Sequence, residues 1–134
     1  MLFIILFFIM LNFSNSYLVP EVEILTSELG RGVYAQKNYL AGDIIEICPI
    51  ITIKHTDIRG KILDYVFGNE FNNDVSVAFG YCSIYNHKNK NSANWFIVND
   101  TVIIEANKNI KHGDQIYISY GDQYWNSRKK NPSI

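Results

Sequence analysis

The sequence has little of what several large function classes need. It holds two cysteines, Cys48 and Cys82, in 134 residues. That is too few for a disulfide framework or a cysteine-rich zinc site. Both lie among apolar residues, so buried free thiols are the expectation, with a single bridge as the alternative. An excess of one charge is missing as well, since 12 Lys and Arg stand against 13 Asp and Glu for a net charge of -1. This lacks the clustered basic footprint of a nucleic-acid binder, and no direct nucleic-acid contact is expected. The one basic run, Arg128-Lys129-Lys130, reads as a solvated tail. No segment keeps helical periodicity for about 12 residues. There is no P-loop, no Ser/His/Asp grouping and no repeated Cys or His spacing; His55, His87 and His112 are scattered. Hydrolase, kinase and metalloenzyme chemistry therefore begins without support.

What is present is apolar and aromatic, at 48% and 14%, enough for the core of one domain. Met1 to Leu11 is an unbroken apolar run. It is shorter than the roughly 20 residues of a membrane-spanning helix. Its length suits the apolar part of a signal peptide, with Ser16 as a small residue near a cleavage point, but it lacks a basic start. Signal peptide, membrane anchor and dispensable extension all stay open. Residues 1–19 are set apart from the domain at 20–128, and 129–134 form a tail. Membrane contact would come through residues 1–11 if they are retained.

From Pro20 onward the pattern is mainly β. Val22 to Leu25 and Val33 to Ala35 read as strands around a turn at Gly30-Arg31-Gly32. Ile44 to Ile53 is β-branched but carries Pro49, which predicts an edge, a bulge or a break. A short helix is expected around Lys61 to Tyr65. Val75 to Tyr85 is apolar with small residues. Phe96 to Val98 and Val102 to Ile104 flank Asn99-Asp100-Thr101 as a hairpin. Gln115 to Tyr120 alternates as a last strand. "AQKNYLAGD" at 35–43 and "ANKNIKHGD" at 106–114 echo one another, which predicts two similar corners at different places in one fold.

Four features can carry chemistry. Gly30-Arg31-Gly32 permits close backbone approach to a ligand, although a hairpin turn also explains it and no helix follows to make a dinucleotide fingerprint. Asn86-His87 offers donors and acceptors suited to an ammonium group or an adenine edge; a turn with a satisfied histidine is the plainer alternative. Tyr120 precedes Gly121 at a strand end, where its hydroxyl can enter a cavity. Tyr124 and Trp125 follow it and either close the core or line a site. Tyr65, in "LDYVF", is a candidate partner for Tyr120.

Taken in this order, these features resemble a SET domain, over Val22 to about Arg128. The stretches "GRGVYAQKNYLAGDIIE", "DYVFG", "GYCSIYNH" and "ISYGDQYWNSR" carry the likeness, which is closest to compact viral SET proteins. The resemblance implies a mainly β fold of several short, β-clip-like sheets with a C-terminal pseudoknot and few short helices. It implies an S-adenosyl-L-methionine-dependent protein-lysine methyltransferase releasing S-adenosyl-L-homocysteine, with a histone tail, best histone H3, as substrate. Gly30, Arg31, Gly32, Asn86, His87, Tyr120 and Trp125 would hold the cofactor. Tyr120 and Tyr65 would be catalytic, and Tyr65, Tyr120, Tyr124 and Trp125 would form the lysine channel. The zinc-binding C-terminal cysteines of many cellular relatives are missing, so no zinc is implied.

The chain departs from the family after Asn86-His87. Lys88, Asn91 and Ser92 replace a Ser, Pro and Asn, a change expected to loosen the pseudoknot. Gln115 stands where a second acidic residue is usual. These departures keep a second hypothesis in play, a SET-like module that binds peptide or cofactor without turnover. Methylation of a non-histone protein is a further alternative. Exposed β edges would allow a homodimer and an added substrate strand, the latter along Val75 to Phe79. Family likeness points to chromatin and the nucleus, whereas Met1 to Leu11 points to secretion or a membrane.

Overall fold

The computed structural model describes residues 19–68 and 72–128. Alternation of side chains builds most of it. In β8, Thr101–Ala106, the residues Val102, Ile104 and Ala106 are buried while Thr101, Ile103 and Glu105 face outward. In β9, Gln115–Ile118, Ile116 and Ile118 turn inward. The order along the chain begins with β1 (Val22–Ser27), β2 (Gly30–Ala35) and β3 (Ile44–Lys54). Next come β4 (Phe67–Gly68), β5 (Asp74–Ala78), β6 (Asn86–His87) and β7 (Ala93–Val98), followed by β8 and β9. A short helix, α1 (Asp122–Arg128), ends the described chain. Turns of 3-10 helix stand at His55–Asp57, Gly60–Tyr65 and Cys82–Ile84. The strands form one sheet ordered β1-β2-β9-β6 and another ordered β4-β5-β3-β8-β7. Val33, Tyr39, Ile45, Tyr85, Ile104 and Ile116 belong to one core shared by both sheets. Among the described residues, no helix is long and apolar enough to cross a membrane. The predicted segment at 1–19, apart from Val19, and the tail at 129–134 lie outside the described residues.

Several expectations change. Gly30-Arg31-Gly32 is strand rather than turn; the reversal is at Glu28-Leu29, with Ser27 paired to Gly30. Ser27 Oγ accepts the Leu29 amide at 3.2 Å and holds that reversal. Pro49 neither ends β3 nor puts it on an edge. Strand β3 pairs with β8 up to Pro49 and with β5 from Ile50 onward, so the proline sits where the ladder changes partner. The bulge lies elsewhere, between Ile44 and Glu46. The apolar strand after Val75 ends at Ala78, and a 3-10 turn carries the chain to Asn86. Cys48 and Cys82 are joined in a disulfide across 34 residues, not free thiols. The two-residue hairpin at Asn99-Asp100 forms as expected, with Val98 opposite Thr101.

The echoed segments do not make separate corners. They pair with each other. Tyr39 and Ile110 exchange both backbone hydrogen bonds, at 2.8 and 2.9 Å. The same pseudo-two-fold relates the caps: Ala41 N donates to Asn109 Oδ1 at 3.0 Å, and His112 N to Asn38 Oδ1 at 2.8 Å. Gly42 and Gly113 both have φ of +92°, which glycine adopts without the steric cost other residues incur.

Candidate active site

Strand β9 brings the distant motifs together. It pairs antiparallel with β2 at Val33 and Tyr34, and parallel with β6 at Asn86 and His87. The Gly30–Gly32 strand, the Asn-His pair and the Tyr120 strand end therefore meet, although they lie 33 to 90 residues apart along the chain. Tyr120 is gripped twice. Its backbone N–H donates to His87 Nδ1 at 3.1 Å, and its hydroxyl donates to the Tyr85 carbonyl at 2.9 Å. Because Nδ1 accepts, the neutral ring carries its proton on Nε2, which lies 3.1 Å from Asn89 Oδ1. Burial pushes the Tyr120 phenol up to about 12, with Tyr124 and Tyr65 adding to the effect and the backbone N–H of His87 opposing it.

Aromatic rings surround this tyrosine. Tyr124 meets it edge-on at 4.7 Å, and Trp125 stacks at 5.9 Å. An open groove of about 1220 Å³ runs past it, lined by Tyr65, Phe67, Tyr85, Trp95, Tyr120 and Tyr124 among others. Tyr65 is 37% exposed and stands toward solvent. Trp125 does not line the groove. It packs on His87, 4.9 Å away, and its buried Nε1 has no hydrogen-bond partner among the described residues. Gly30, Arg31, Gly32, Asn86 and His87 likewise lie outside the groove lining. The site is thus two-sided, with Tyr120 between the groove and the Asn-His side.

On that second side, Asn86 Nδ2 donates to the Arg31 carbonyl at 2.7 Å. A Cβ at Gly32 would collide with the Gln115 amide and stand 3.1 Å from Asn86 Nδ2, so a larger residue there would displace those two side chains. Gln115 is held by Tyr117 and Tyr34, whose hydroxyls donate to Oε1 at 2.7 and 3.3 Å. Amide donors of Asn86 and Gln115 thus gather over a glycine. This donor set fits a ligand rich in acceptors, as S-adenosyl-L-methionine is with its carboxylate and adenine.

Some contributing residues were not singled out in the sequence. Tyr85 orients Tyr120 from its backbone, which no side-chain pattern announces. Trp95 lines the groove and donates to the Ser119 carbonyl at 2.7 Å. Arg128 is not part of a solvated tail. It lies over the Tyr124 ring at 3.8 Å and bonds Asp64 at 3.0 Å and the Leu63 carbonyl. The departures near Asn86 are also tied down. Ser92 is buried and exchanges hydrogen bonds with Tyr117, at 3.0 Å to its carbonyl and 3.1 Å from its N–H. Asn91 caps Ala93, and Lys88 sits 5.1 Å over Tyr117. Strand β5 is not a free edge along its length, since β4 covers it at Val75 and Ser76.

The architecture and the convergence at Tyr120 define a SET domain. The SET domain profile matches residues 30–121, and the chain belongs to that family. A Plasmodium falciparum protein provisionally named a histone methyltransferase is similar at 31% identity and TM-score 0.70, over 81% of this chain and 99% of that one. Two Polycomb Repressive Complex 2 structures share the fold at TM-score 0.66. One is ctPRC2 with H3K27me3 and H3K27M, at 21% identity; the other is a humanized mutant of the Chaetomium thermophilum complex bound to the inhibitor GSK126, at 19%. Each aligns over 78% of this chain, which spans 15% of the matched chain. No curated protein sequence matches significantly. The family and the Plasmodium relative support a methyltransferase.

Proposed function

We propose that this chain is an S-adenosyl-L-methionine-dependent protein-lysine N-methyltransferase acting on a basic tail, with a histone tail, best histone H3, as substrate. The observation that carries it is Tyr120, held at both backbone and hydroxyl between an aromatic groove and a donor-lined glycine cradle. The bound cofactor supplies a sulfonium methyl open to direct SN2 attack. Gly30 to Gly32, Asn86, His87 and Trp125 would hold it from one side, with Gln115 beside them. Tyr65 and Tyr124 would shape the lysine channel from the other.

The amine must be neutral to attack, and free lysine has a pKa of about 10.4. Desolvation among aromatic rings and a nearby positive charge lower it. With its phenol up at about 12, Tyr120 stays protonated at neutral pH and is no general base. Its proton points to Tyr85, so the oxygen lone pairs are left to orient the amine or methyl. Alignment is then the main contribution of the protein, and Tyr65 and Tyr124 can favour methylated ammonium by cation–π contact.

The test is to incubate the protein with labelled S-adenosyl-L-methionine, histones and a whole-cell extract, then read gels and mass spectra. Label on a histone lysine is the expected result. Label on another protein alone would keep the chemistry and remove the chromatin role. No label, with cofactor binding intact, would favour the non-enzymatic module.

A second reading concerns place. The Cys48–Cys82 bridge suits an oxidising compartment, as an export signal at residues 1–11 would. An exported lysine methyltransferase with a non-histone substrate would fit both. Thiol-trapping of the protein from fractionated cells tests this: fully reduced cysteines in a nuclear fraction would end it.

A further inference from the structure

Glu46 is 3% exposed, and the mechanism above does not use it. A carboxylate so buried needs partners. It has two. Oε1 accepts the Tyr85 hydroxyl at 3.0 Å, and Oε2 accepts the Tyr81 N–H at 2.9 Å. Tyr81 and Tyr85 are the two caps of the 3-10 turn Cys82–Ile84. One carboxylate therefore ties both ends of that turn. Gly80 presses against it, since a Cβ there would stand 3.0 Å from Oε2. The turn leads directly into Asn86-His87, and Tyr85 presents its carbonyl to the Tyr120 hydroxyl at 2.9 Å. The chain of contacts runs from Glu46 through Tyr85 to Tyr120.

We infer that Glu46 is a positioning residue for the Tyr120 hydroxyl, acting through Tyr85. Asn86 and His87 have their own anchors in Arg31 and β9. The Tyr85 carbonyl is followed by β6 but is fixed from its own side chain by Glu46. A carboxylate is required because two donors converge on two oxygens. An amide in its place offers one acceptor and turns its NH2 on the other donor. The same desolvation that buries the group raises its pKa, with the Tyr81 and Tyr85 bonds opposing the rise.

The kinetic arm of the test rests on the methyltransferase reading; the spectroscopic arm does not. Full-length wild type, Glu46→Gln, Tyr85→Phe and the double variant are prepared with tyrosine labelled at Cζ, the Tyr120 resonance being assigned by its loss in Tyr120→Phe. Tyr39→Phe serves as the control, because Tyr39 is also buried but its hydroxyl donates at 3.1 Å to the Glu21 carbonyl and bonds neither Glu46 nor Tyr85. Both single variants should shift the Tyr120 resonance and lower kcat at least fivefold. Cofactor Kd should stay within twofold, and the double variant should lose no more than the worse single. Tyr39→Phe should leave the Tyr120 resonance in place. A folded Glu46→Gln with wild-type resonance and kcat would overturn the inference, as would multiplicative losses in the double variant. Should Glu46→Gln fail to fold, Tyr85→Phe decides, since it removes one hydroxyl. If the wild type transfers no methyl, the functional proposal falls and the resonance alone decides the role of Glu46.

Discussion

Tyr120 shows how much one residue can settle about mechanism. Its phenol, pushed up to about 12, remains protonated across the range in which a lysine amine titrates. The rate should therefore rise with pH as more amine becomes neutral, and ionisation of Tyr120 should not turn it down near pH 10. The stability sign agrees: the raised folded pKa contributes stability present below about pH 10, lost as pH climbs through about 12. A pH–rate profile from 7 to 10 checks this, and a fall with an apparent pKa near 10 that vanishes in Tyr120→Phe would contradict it. Tyr120→Phe itself should cost more than about tenfold in rate, or roughly 1.4 kcal/mol of barrier, with cofactor affinity preserved. Asn86→Ala should do the reverse and weaken cofactor binding by calorimetry, because the amide that spans to Arg31 is then gone. These residues were legible in sequence because side-chain chemistry announces them. Tyr85 was not, because what it gives Tyr120 is a carbonyl that every residue has.

At the scale of elements, α1 is the instructive case. Seven residues are too few to hold a helix alone in water, so its docking depends on what it touches. Arg128 does much of that, reaching Asp64 and Leu63 in the 3-10 turn Gly60–Tyr65 while covering the Tyr124 ring. Arg128→Ala should release α1 and with it the Tyr124 wall of the groove. Amide exchange over 122–128 should speed up, and peptide KM should rise about fivefold or more. Protection equal to wild type would show that the aromatic contacts suffice. A run of Arg-Lys-Lys reads as solvated tail in sequence because nothing local marks its first member as docked. The echo at 35–43 and 106–114 has the same lesson. Its turn chemistry was legible, down to the paired Gly-Asp. That the two copies bond to each other was not, because partner choice is a long-range property.

The whole molecule is held by contacts far apart in sequence, and the Cys48–Cys82 bridge is the covalent example. Two cysteines among apolar neighbours look like buried thiols until β3 and the turn after β5 are placed side by side, which requires the complete sheet order. The fold class could be read from β-branched runs, turn residues and motif order, since each is local. The pairing of two particular strands could not. Closing a loop of 34 residues removes unfolded-chain entropy worth about 4 kcal/mol. The bridge also pins the turn that carries Tyr85 toward Tyr120, so its loss should reach the site. Reduction, or the paired change Cys48→Ala with Cys82→Ala, should lower unfolding stability in urea by roughly that amount and lower kcat alongside it. Stability unchanged within about 1 kcal/mol would mean that the sheets hold this corner without the bond. A large loss of stability with kcat intact would separate the bridge from the Glu46–Tyr85–Tyr120 chain and leave that chain to position the hydroxyl alone.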